Sequence, residues 1–246
     1  MQIKEFSLDD SFLVRTSGTS DGTQDKYFKD NLWFKIDRYG GEGIAEAVSS
    51  LILKESGMAS SLFVEYEPCL INGKQGCVCK NFLDDGEDFI TFYRLYKNVT
   101  GHDLAGICAK MDYDDAIEYV LDFIKTQTNL DMHEYLANIF ELDRIILNED
   151  RHFNNLGVIF NGTEFSIAPI FDNGKSFLIG NNKASESSTT QEKIKTAYAK
   201  SFSPSFEMNA RYLKKYRTFS PKKSCIDLIK DCVPEEIIGI LTERLK

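Results

Sequence analysis

The sequence lacks the features of a membrane, exported or nucleic-acid-binding protein. None of its apolar runs approaches the roughly 18 residues that a membrane-spanning helix needs. The first ten residues, MQIKEFSLDD, lack the apolar stretch of a secretory signal. Positive charge is in deficit, with 29 Lys and Arg against 38 Asp and Glu and a formal net charge of −9. We therefore expect a cytoplasmic protein without stable membrane anchoring or direct binding of nucleic acid.

The cysteine spacing of a metal site or a disulfide framework is also missing. The six cysteines include no C-x-x-C pair, and the three histidines form no metal-like pattern with them. Cys77 and Cys79 lie two residues apart, on one side of a predicted strand. We interpret the cysteines as buried, reduced thiols. The remaining composition, 42% hydrophobic and 27% charged, is that of a folded globular protein.

The hydrophobic pattern divides the chain into a strand-rich first third and a mainly helical remainder. Alternation at 32–37 predicts a strand, and the apolar stripe after Gly41 predicts a helix that ends at Gly57. Two more predicted strands follow, at 62–68 and 75–83, and the acidic, turn-rich DDGEDF comes directly after the second of them. We therefore predict an α+β fold with an N-lobe at 1–83 and a C-lobe at 84–246. The other predicted elements are a hairpin at 11–29, strands at 156–160 and 164–168, helices at about 88–97, 113–127 and 131–147, a polar segment at 180–205, and a closing helix that begins at Pro234.

Three oxygen-bearing side chains stand out in NEDRHFNNLGVIF (148–160) and the APIFDNG that follows. Asp150 and Asn155 lie in a loop between a predicted helix and a hairpin, and Asp172 lies in the loop after that hairpin. Phosphoryl transfer needs one carboxylate to accept or orient the proton of the acceptor hydroxyl. It also needs a carboxylate and an amide oxygen that hold Mg²⁺ on the nucleotide phosphates. The spacing of Asp150 and Asn155 equals that of the protein-kinase catalytic loop.

The upstream strand and helix carry two further parts of such a site. Lys35 lies mid-strand, on the side opposite Leu32, Phe34 and Ile36. Glu46 lies on the first turns of the next helix, away from its apolar stripe. Kinase-like folds use a strand lysine to contact the α- and β-phosphates and a helix glutamate to hold that lysine. Each residue alone is typical of a solvated surface charge, and it is their order with the downstream motifs that favours a kinase.

The quoted motifs resemble those of HipA-like serine/threonine kinases, the toxin kinases of bacterial toxin–antitoxin modules. DRHFNN with APIFDNG is similar to their catalytic and metal loops, and WFKI with AEAVSSLILKESGM is similar to their strand lysine and glutamate-bearing helix. The resemblance implies a two-lobed protein-kinase-like fold that uses ATP and Mg²⁺. By this resemblance, Asp150 is the catalytic base, Asn155 and Asp172 are the Mg²⁺ ligands, and Lys35 with its partner Glu46 contacts ATP. His152 is expected to buttress the catalytic loop, and Arg151 to contact substrate or phosphate unless it is a surface charge.

The segment SGTSDGTQDKYF resembles the phosphate-binding loop of the same family. Its backbone is expected to cradle phosphate, with the candidates Gly18, Thr19, Ser20, Gly22 and Thr23. The segment also resembles a loop of that family that is autophosphorylated, and this resemblance makes Ser17, Thr19 and Ser20 candidate phosphorylation sites. The alternative is a polar hairpin loop without a regulatory role. Lys80 and Phe82, at the end of a predicted strand, are expected to line the adenine pocket.

The resemblance does not determine the binding partners of the protein or the molecule that accepts the phosphate group. HipA-like toxins usually carry an additional N-terminal subdomain that meets the antitoxin, and this chain resembles a compact version, so an antitoxin-type partner is only one possibility beside the protein substrate. DRHxxN and a following Asp-Asn-Gly are shared with phosphatidylinositol kinases, and a basic strip, RYLKKYR with PKK, favours that lipid-kinase alternative. A non-catalytic nucleotide-binding adaptor module is the third alternative.

Overall fold

A five-stranded sheet forms the N-terminal part of the protein. The structure is a computed structural model that describes residues 3–14, 24–183, 185 and 188–246. The sheet has the order β1-β4-β5-β3-β2, in which β1 runs parallel to β4 and the other neighbours are antiparallel. Its strands are β1 (Lys4–Phe6), β2 (Lys26–Lys29), β3 (Leu32–Ile36), β4 (Tyr66–Ile71) and β5 (Lys74–Lys80).

The two faces of this sheet carry different sets of side chains. One face carries an apolar cluster that includes Phe34, Ile71 and Val78. Because side chains alternate along a strand, Lys35 points to the opposite face, which also carries Tyr66 and Cys77. That second face is the one on which the candidate site is built.

Helix α1 (Glu42–Glu55) packs on β4 and β5 and brings Glu46 to this face. The approach of its first turn is so close that a Cβ atom on Gly43 would lie 2.5 Å from the carbonyl oxygen of Gly76 in β5. Asp37 fixes the start of the helix, since its carboxylate accepts hydrogen bonds from the backbone N–H groups of Gly41 and Gly43 at 2.7 and 2.8 Å. Glycines and this acidic cap thus set the height of Glu46 above the sheet.

The rest of the chain is mainly helical and surrounds one large apolar core. Two helices, Tyr113–Thr128 (α4) and His133–Ile146 (α5), contribute much of it, with Ile117, Ile124, Leu136 and Ile139 fully buried. The helices are α2 (Phe92–Thr100), α3 (Leu104–Cys108), α4 (Tyr113–Thr128), α5 (His133–Ile146), α6 (Thr190–Ile194), α7 (Phe206–Tyr212), α8 (Cys225–Ile229) and α9 (Glu235–Arg244). Within the described ranges, no helix is long and apolar enough to cross a membrane.

A second, three-stranded sheet supports the loops of the candidate site. It has the order β6-β7-β8, with β6 (Asp88–Thr91), β7 (Gly157–Phe160) and β8 (Phe165–Ile167). The turn at Asn161-Gly162 joins β7 and β8 as predicted, and the Asn161 side chain accepts hydrogen bonds from the residues that follow. The single helix predicted at 88–97 is wrong in its first turn, because 88–91 pair with β7 as a strand and Thr91 then caps α2.

Other elements differ in extent from the prediction. The strand predicted at 62–68 begins later, as β4 at Tyr66, after a short 3-10 turn at Ser60–Leu62. The polar segment at 180–205 includes α6, whose start is fixed by a capping box between Thr189 and Glu192. The predicted hairpin at 11–29 is present at its base, where Leu13 bridges Tyr27, while residues 15–23 lie outside the described residues. The division at residue 83 stays a prediction.

Candidate active site

Lys35 lies between two carboxylates. Its Nζ atom is 2.7 Å from Oε1 of Glu46 and 2.9 Å from Oδ1 of Asp172, and the hydroxyl of Tyr66 lies 3.4 Å away. The lysine side chain is 10% exposed, that of Glu46 2% and that of Asp172 28%. The structure therefore brings together a strand lysine, a helix glutamate and a loop aspartate that are up to 137 positions apart in the sequence.

The electrostatics of this cluster keep the lysine and the aspartate charged. Burial alone would lower the pKa of Lys35, but Asp172 and Glu46 raise it well above its ordinary value. Burial would raise the pKa of Asp172, but Lys35 and then Lys26 hold it well below its usual range. Burial raises the pKa of Glu46, whose single cationic partner is shared with Asp172. One ammonium group thus serves two carboxylates, and their pKa values shift in opposite directions, up for Glu46 and down for Asp172.

Glu46 also ties helix α1 to the loop that carries Asp172. Its Oε2 atom accepts a hydrogen bond from the backbone N–H of Asn173 at 2.8 Å. Residues 62–64 form two backbone hydrogen bonds with Ile170, two positions before Asp172: Ile170 N donates to Leu62 O, and Val64 N donates to Ile170 O. Asp172 itself has a positive φ of 60°, a left-handed conformation that an aspartate tolerates better than a bulky residue. The position of the Asp172 carboxylate is therefore set by neighbours on three sides.

Arg151 is not a surface charge, because it is buried, and its contact with substrate or phosphate stays a prediction. Its guanidinium is 2% exposed and contacts the carboxylate of Asp143, with NH2 3.0 Å from Oδ1. It also donates to the carbonyl of Phe171 at 2.6 Å and to the side chain of Asn173. Arg151 thus joins helix α5 to the Asp172 loop.

The catalytic-loop candidates lie at the end of α5. Asn155 is buried, and its Nδ2 donates to the backbone carbonyl of Asp150 at 2.9 Å, so its Oδ1 is the atom left to accept or ligate. The backbone of His152 is part of the same turn: its N–H donates to Asp150 O, and its carbonyl accepts from Asn155 N, both at 2.8 Å. Its buried Nδ1 has no hydrogen-bond partner among the residues that the structure describes. Asp150 is 36% exposed at its side chain.

A segment distant in the sequence, residues 198–201, lies against this loop, and no sequence motif marks it. The Nζ atom of Lys200 forms an ion pair with Oδ1 of Asp150. The next residue, Ser201, donates its hydroxyl hydrogen to the carbonyl of Arg151, and Tyr198 N donates to Glu149 at 3.3 Å. Three consecutive loop residues, 149–151, are therefore held by residues 198–201. The polar composition of 180–205 carries no local signal of this pairing, because the partners are fifty positions apart.

An apolar cluster adjoins Lys35 on the same face of the sheet. It contains Val64, Tyr66, Cys77 and Cys79 with Trp33, Phe82 and Phe171 packed against them. Phe82 contacts Phe171 with ring centroids 5.6 Å apart, which places one adenine-pocket candidate next to the Asp172 loop. Lys80 differs, because its side chain is exposed and the strand offers only its backbone to such a pocket. The phosphate-loop candidates Ser17, Gly18, Thr19, Ser20, Gly22 and Thr23 lie outside the described residues.

Comparison with known proteins identifies the fold. No protein-family model matches the chain, and no curated protein sequence gives a significant match. The chain is similar to the crystal structure of the Helicobacter pylori proinflammatory kinase CtkA, with a TM-score of 0.64, 16% identity and coverage of 97% of this chain and 92% of that one. A Shewanella oneidensis HipA–HipB–operator DNA complex gives a TM-score of 0.44 at 10% identity, over 97% of this chain and 65% of that chain, which is too low to show a shared fold. The predicted resemblance to a kinase is confirmed at the level of the fold: the chain has the α+β architecture of a kinase, with a five-stranded N-terminal sheet and a mainly helical remainder.

Proposed function

We propose that this protein is an ATP- and Mg²⁺-dependent serine/threonine-protein kinase, similar to the HipA-like toxins and able to phosphorylate itself. The observation that carries the proposal is the buried lysine between two carboxylates, Lys35 with Glu46 and Asp172. In kinase-like sites the lysine contacts nucleotide phosphates, the glutamate holds the lysine and the aspartate brings the metal. A purely structural ion pair would need one carboxylate, and here a second, more exposed one faces the same ammonium group.

The donor set suits Mg²⁺, which prefers hard oxygen ligands. Asp172 offers a carboxylate that stays ionised because Lys35 and Lys26 hold its pKa low. Asn155 offers its amide Oδ1, since its Nδ2 is engaged by the carbonyl of Asp150. When bound, the ion supplies charge neutralisation to the β- and γ-phosphates. Among the described residues there is no cluster of three or more His, Cys, Asp or Glu side chains, so the remaining ligands in this proposal are phosphate oxygens and water.

The chain's own residues supply orientation and proton transfer. Lys35 contacts the α- and β-phosphates, and the apolar cluster around Phe82 holds the adenine base. Asp150 accepts the proton of the acceptor hydroxyl. At the same time, the oxygen of that hydroxyl bonds to the γ-phosphorus, and ADP leaves. Arg151 keeps the loops of Asp150 and Asp172 in register through its contacts with Asp143 and the Phe171 carbonyl.

The experiment that tests the proposal is phosphate transfer by the purified protein. We expect label from γ-³²P-ATP to reach the protein itself or a protein acceptor such as casein in the presence of Mg²⁺, and not with EDTA. Asp150→Asn is the inactive variant, and Asp227→Asn, which changes an exposed carboxylate in α8, is the matched control. Equal labelling by wild type and Asp150→Asn would contradict the assignment of Asp150.

The same assay separates the alternatives. Transfer to phosphoinositide vesicles and not to protein would establish the lipid-kinase reading, which the exposed lysines 214, 215, 222 and 223 favour. Nucleotide binding without transfer to any acceptor would establish an adaptor module. A cytoplasmic location, which the sequence predicts, and an antitoxin-type partner, which the resemblance implies, both belong to the proposal.

Autophosphorylation is proposed at Ser17, Thr19 or Ser20. The described flanks of that segment meet, because Val14 N donates to the carbonyl of Lys26 at 2.8 Å, and the charge of Lys26 acts on Asp172. A phosphate group adds about −1.5 to −2 charge at pH 7, which would be repelled by ATP phosphates near the same cluster. Mass spectrometry after incubation with Mg-ATP checks the site, and a modified protein should bind nucleotide more weakly.

A further inference from the structure

A pocket opens beside Asp150. It has a volume of about 190 Å³, and its lining includes Asp150, Lys175, Lys183, Tyr198 and Lys200. Three lysines thus line one small pocket of a protein whose formal net charge is −9. Such a concentration of positive charge against an acidic background attracts an anionic group.

Two of these lysines have no carboxylate partner in the described ranges. Lys183 lies over the ring of Tyr198, with Nζ 3.6 Å from the ring centroid, and Lys175 lies over the ring of Tyr39 at the same distance. A cation–π contact orients an ammonium group without neutralising it. Lys200 differs, since it is paired with Asp150. Lys175 and Lys183 are therefore positioned cations whose charge is available to a ligand.

Hydrogen bonds of Glu149 connect the segments that line this pocket. The carboxylate of Glu149 accepts from Nδ2 of Asn181 at 3.1 and 3.0 Å and from the backbone N–H of Tyr198 at 3.3 Å. Glu149 N in turn donates to the carbonyl of Lys175 at 3.0 Å. These bonds join the loop of Asp150, the 175–181 segment and Tyr198, so the wall of the pocket is tied to the backbone beside Asp150.

We infer that this pocket binds an acidic side chain that flanks the phosphorylated hydroxyl of a protein substrate. The inference rests on the proposed kinase function, because it takes Asp150 as the group that meets the acceptor hydroxyl. The lining holds three lysines and two carboxylates, Glu149 and Asp150, so its net charge matches a single carboxylate better than a multiply phosphorylated headgroup. Its small volume also suits one side chain. The substrate class is therefore an acidic segment around serine or threonine.

The test uses peptides that differ only in charge next to the acceptor. One series carries Ser flanked by Asp or Glu, and the other carries Asn or Gln at the same positions. We expect wild type to prefer the acidic peptide by about tenfold in kcat/KM, the effect of one charge-assisted hydrogen bond. Lys183→Glu should abolish that preference, and Lys183→Arg should keep it. Lys230→Glu, which changes an exposed lysine directly after α8, should leave it unchanged.

A binding measurement separates this inference from the proposed function. Fluorescence anisotropy with a labelled acidic peptide, Mg²⁺ and a non-hydrolysable ATP analogue should give a Kd that rises about tenfold in Lys183→Glu, with no change for the neutral peptide. Peptide binding of this kind without phosphate transfer would overturn the kinase proposal and support the pocket. Transfer without a preference for acidic peptides would overturn the pocket inference alone. Phosphorylation of phosphoinositide vesicles that depends on Lys183 would also overturn it, in favour of a lipid headgroup.

Discussion

The two halves of the candidate site are held in opposite ways. Around Lys35, the groups are buried or half-buried, come from a strand, a helix and a loop, and are each bound by more than one neighbour. Around Asp150, the carboxylate is 36% exposed and its ion-pair partner, Lys200, is 39% exposed. The first arrangement fixes a geometry before any ligand arrives, whereas the second leaves its key group open to solvent and to a partner that can move away.

This difference matches what each half is proposed to do. A nucleotide and its metal need preorganised charges, and buried groups that are already paired need no rearrangement to provide them. An acceptor hydroxyl has to enter and leave, so the group that meets it has to be reachable. Buried Arg151 connects the two halves, because it contacts Asp143 at the end of α5 and the carbonyl of Phe171 beside Asp172.

The largest expected effect is the loss of phosphate transfer when the carboxylate of Asp150 or of Asp172 is removed. The effect of each change on ATP binding distinguishes the two halves of the site. Asp150→Ala and Asp172→Ala should each lower phosphate transfer by about a thousandfold or more, since a metal-based or proton-transfer contribution of several kcal/mol is lost. Only Asp172→Ala should also weaken Mg²⁺-dependent binding of ATP. Isothermal titration with and without Mg²⁺ measures this. If Asp172→Ala kept near-wild-type transfer with unchanged Mg²⁺ dependence, the metal assignment would be wrong.

The free energy of unfolding should depend strongly on the Arg151–Asp143 ion pair and little on the Lys200–Asp150 ion pair. Arg151→Met leaves the buried carboxylate of Asp143 without its partner, and breaking such a pair costs about 3–5 kcal/mol. Lys200→Met breaks a half-exposed pair, which is worth about 0–1 kcal/mol. Urea unfolding followed by circular dichroism gives both values. Comparable losses in the two variants would mean that the catalytic-loop side is as rigid as the buried side.

Nucleotide binding should depend on Lys35 more than on its partner. Lys35→Met removes a charge-assisted contact to phosphate, worth about 1.5–3 kcal/mol, and should weaken ATP binding by about ten- to a hundredfold. Glu46→Gln should have a smaller effect, because Asp172 still faces the ammonium group and the amide can accept from Asn173 N. Fluorescent-nucleotide titrations rank the two. A larger loss in Glu46→Gln would show that orientation of α1 matters more than the lysine charge.

Much of the fold follows from local pattern, and the exceptions have a common cause. The apolar stripes of α1, α4 and α5 and the Asn161-Gly162 turn are local signals, and those elements lie where the pattern predicts them. Residues 88–91 form a strand only because β7, about seventy positions later, pairs with them. The parallel pairing of the short strand β1 with β4 likewise has no local signal.

The site divides in the same manner. Order and spacing single out Lys35, Glu46 and Asp172, and the structure brings these three together, although their roles stay predictions. The burial of Arg151 could not be derived, because it depends on Asp143 and on a backbone carbonyl at 171. Tyr66 and Lys200 reach the site from positions that carry no motif at all.

The smallest perturbation, alkylation of thiols, measures how closed the Lys35 face is. Cys77 and Cys79 are buried on that face, and burial raises the pKa of Cys77 well above its ordinary value and that of Cys79 to about 11. At pH 8, about one Cys79 thiol in a thousand is then the reactive thiolate. Cys232 is exposed. Iodoacetamide at pH 8 should therefore modify one site per native chain, Cys232, and all six cysteines only after unfolding in denaturant.

Peptide mapping by mass spectrometry identifies the modified residues, and Cys232→Ser is the control, which should take up almost no reagent while native. Because burial raises the two thiol pKa values, their modification should increase as the pH is raised toward about 11, provided that the protein stays folded. Modification of Cys77 or Cys79 at pH 8 as fast as that of Cys232 would mean that the sheet face opens to solvent. The contrast between a preorganised nucleotide half and an accessible acceptor half would then fail at its foundation, since Lys35 shares that face with both cysteines.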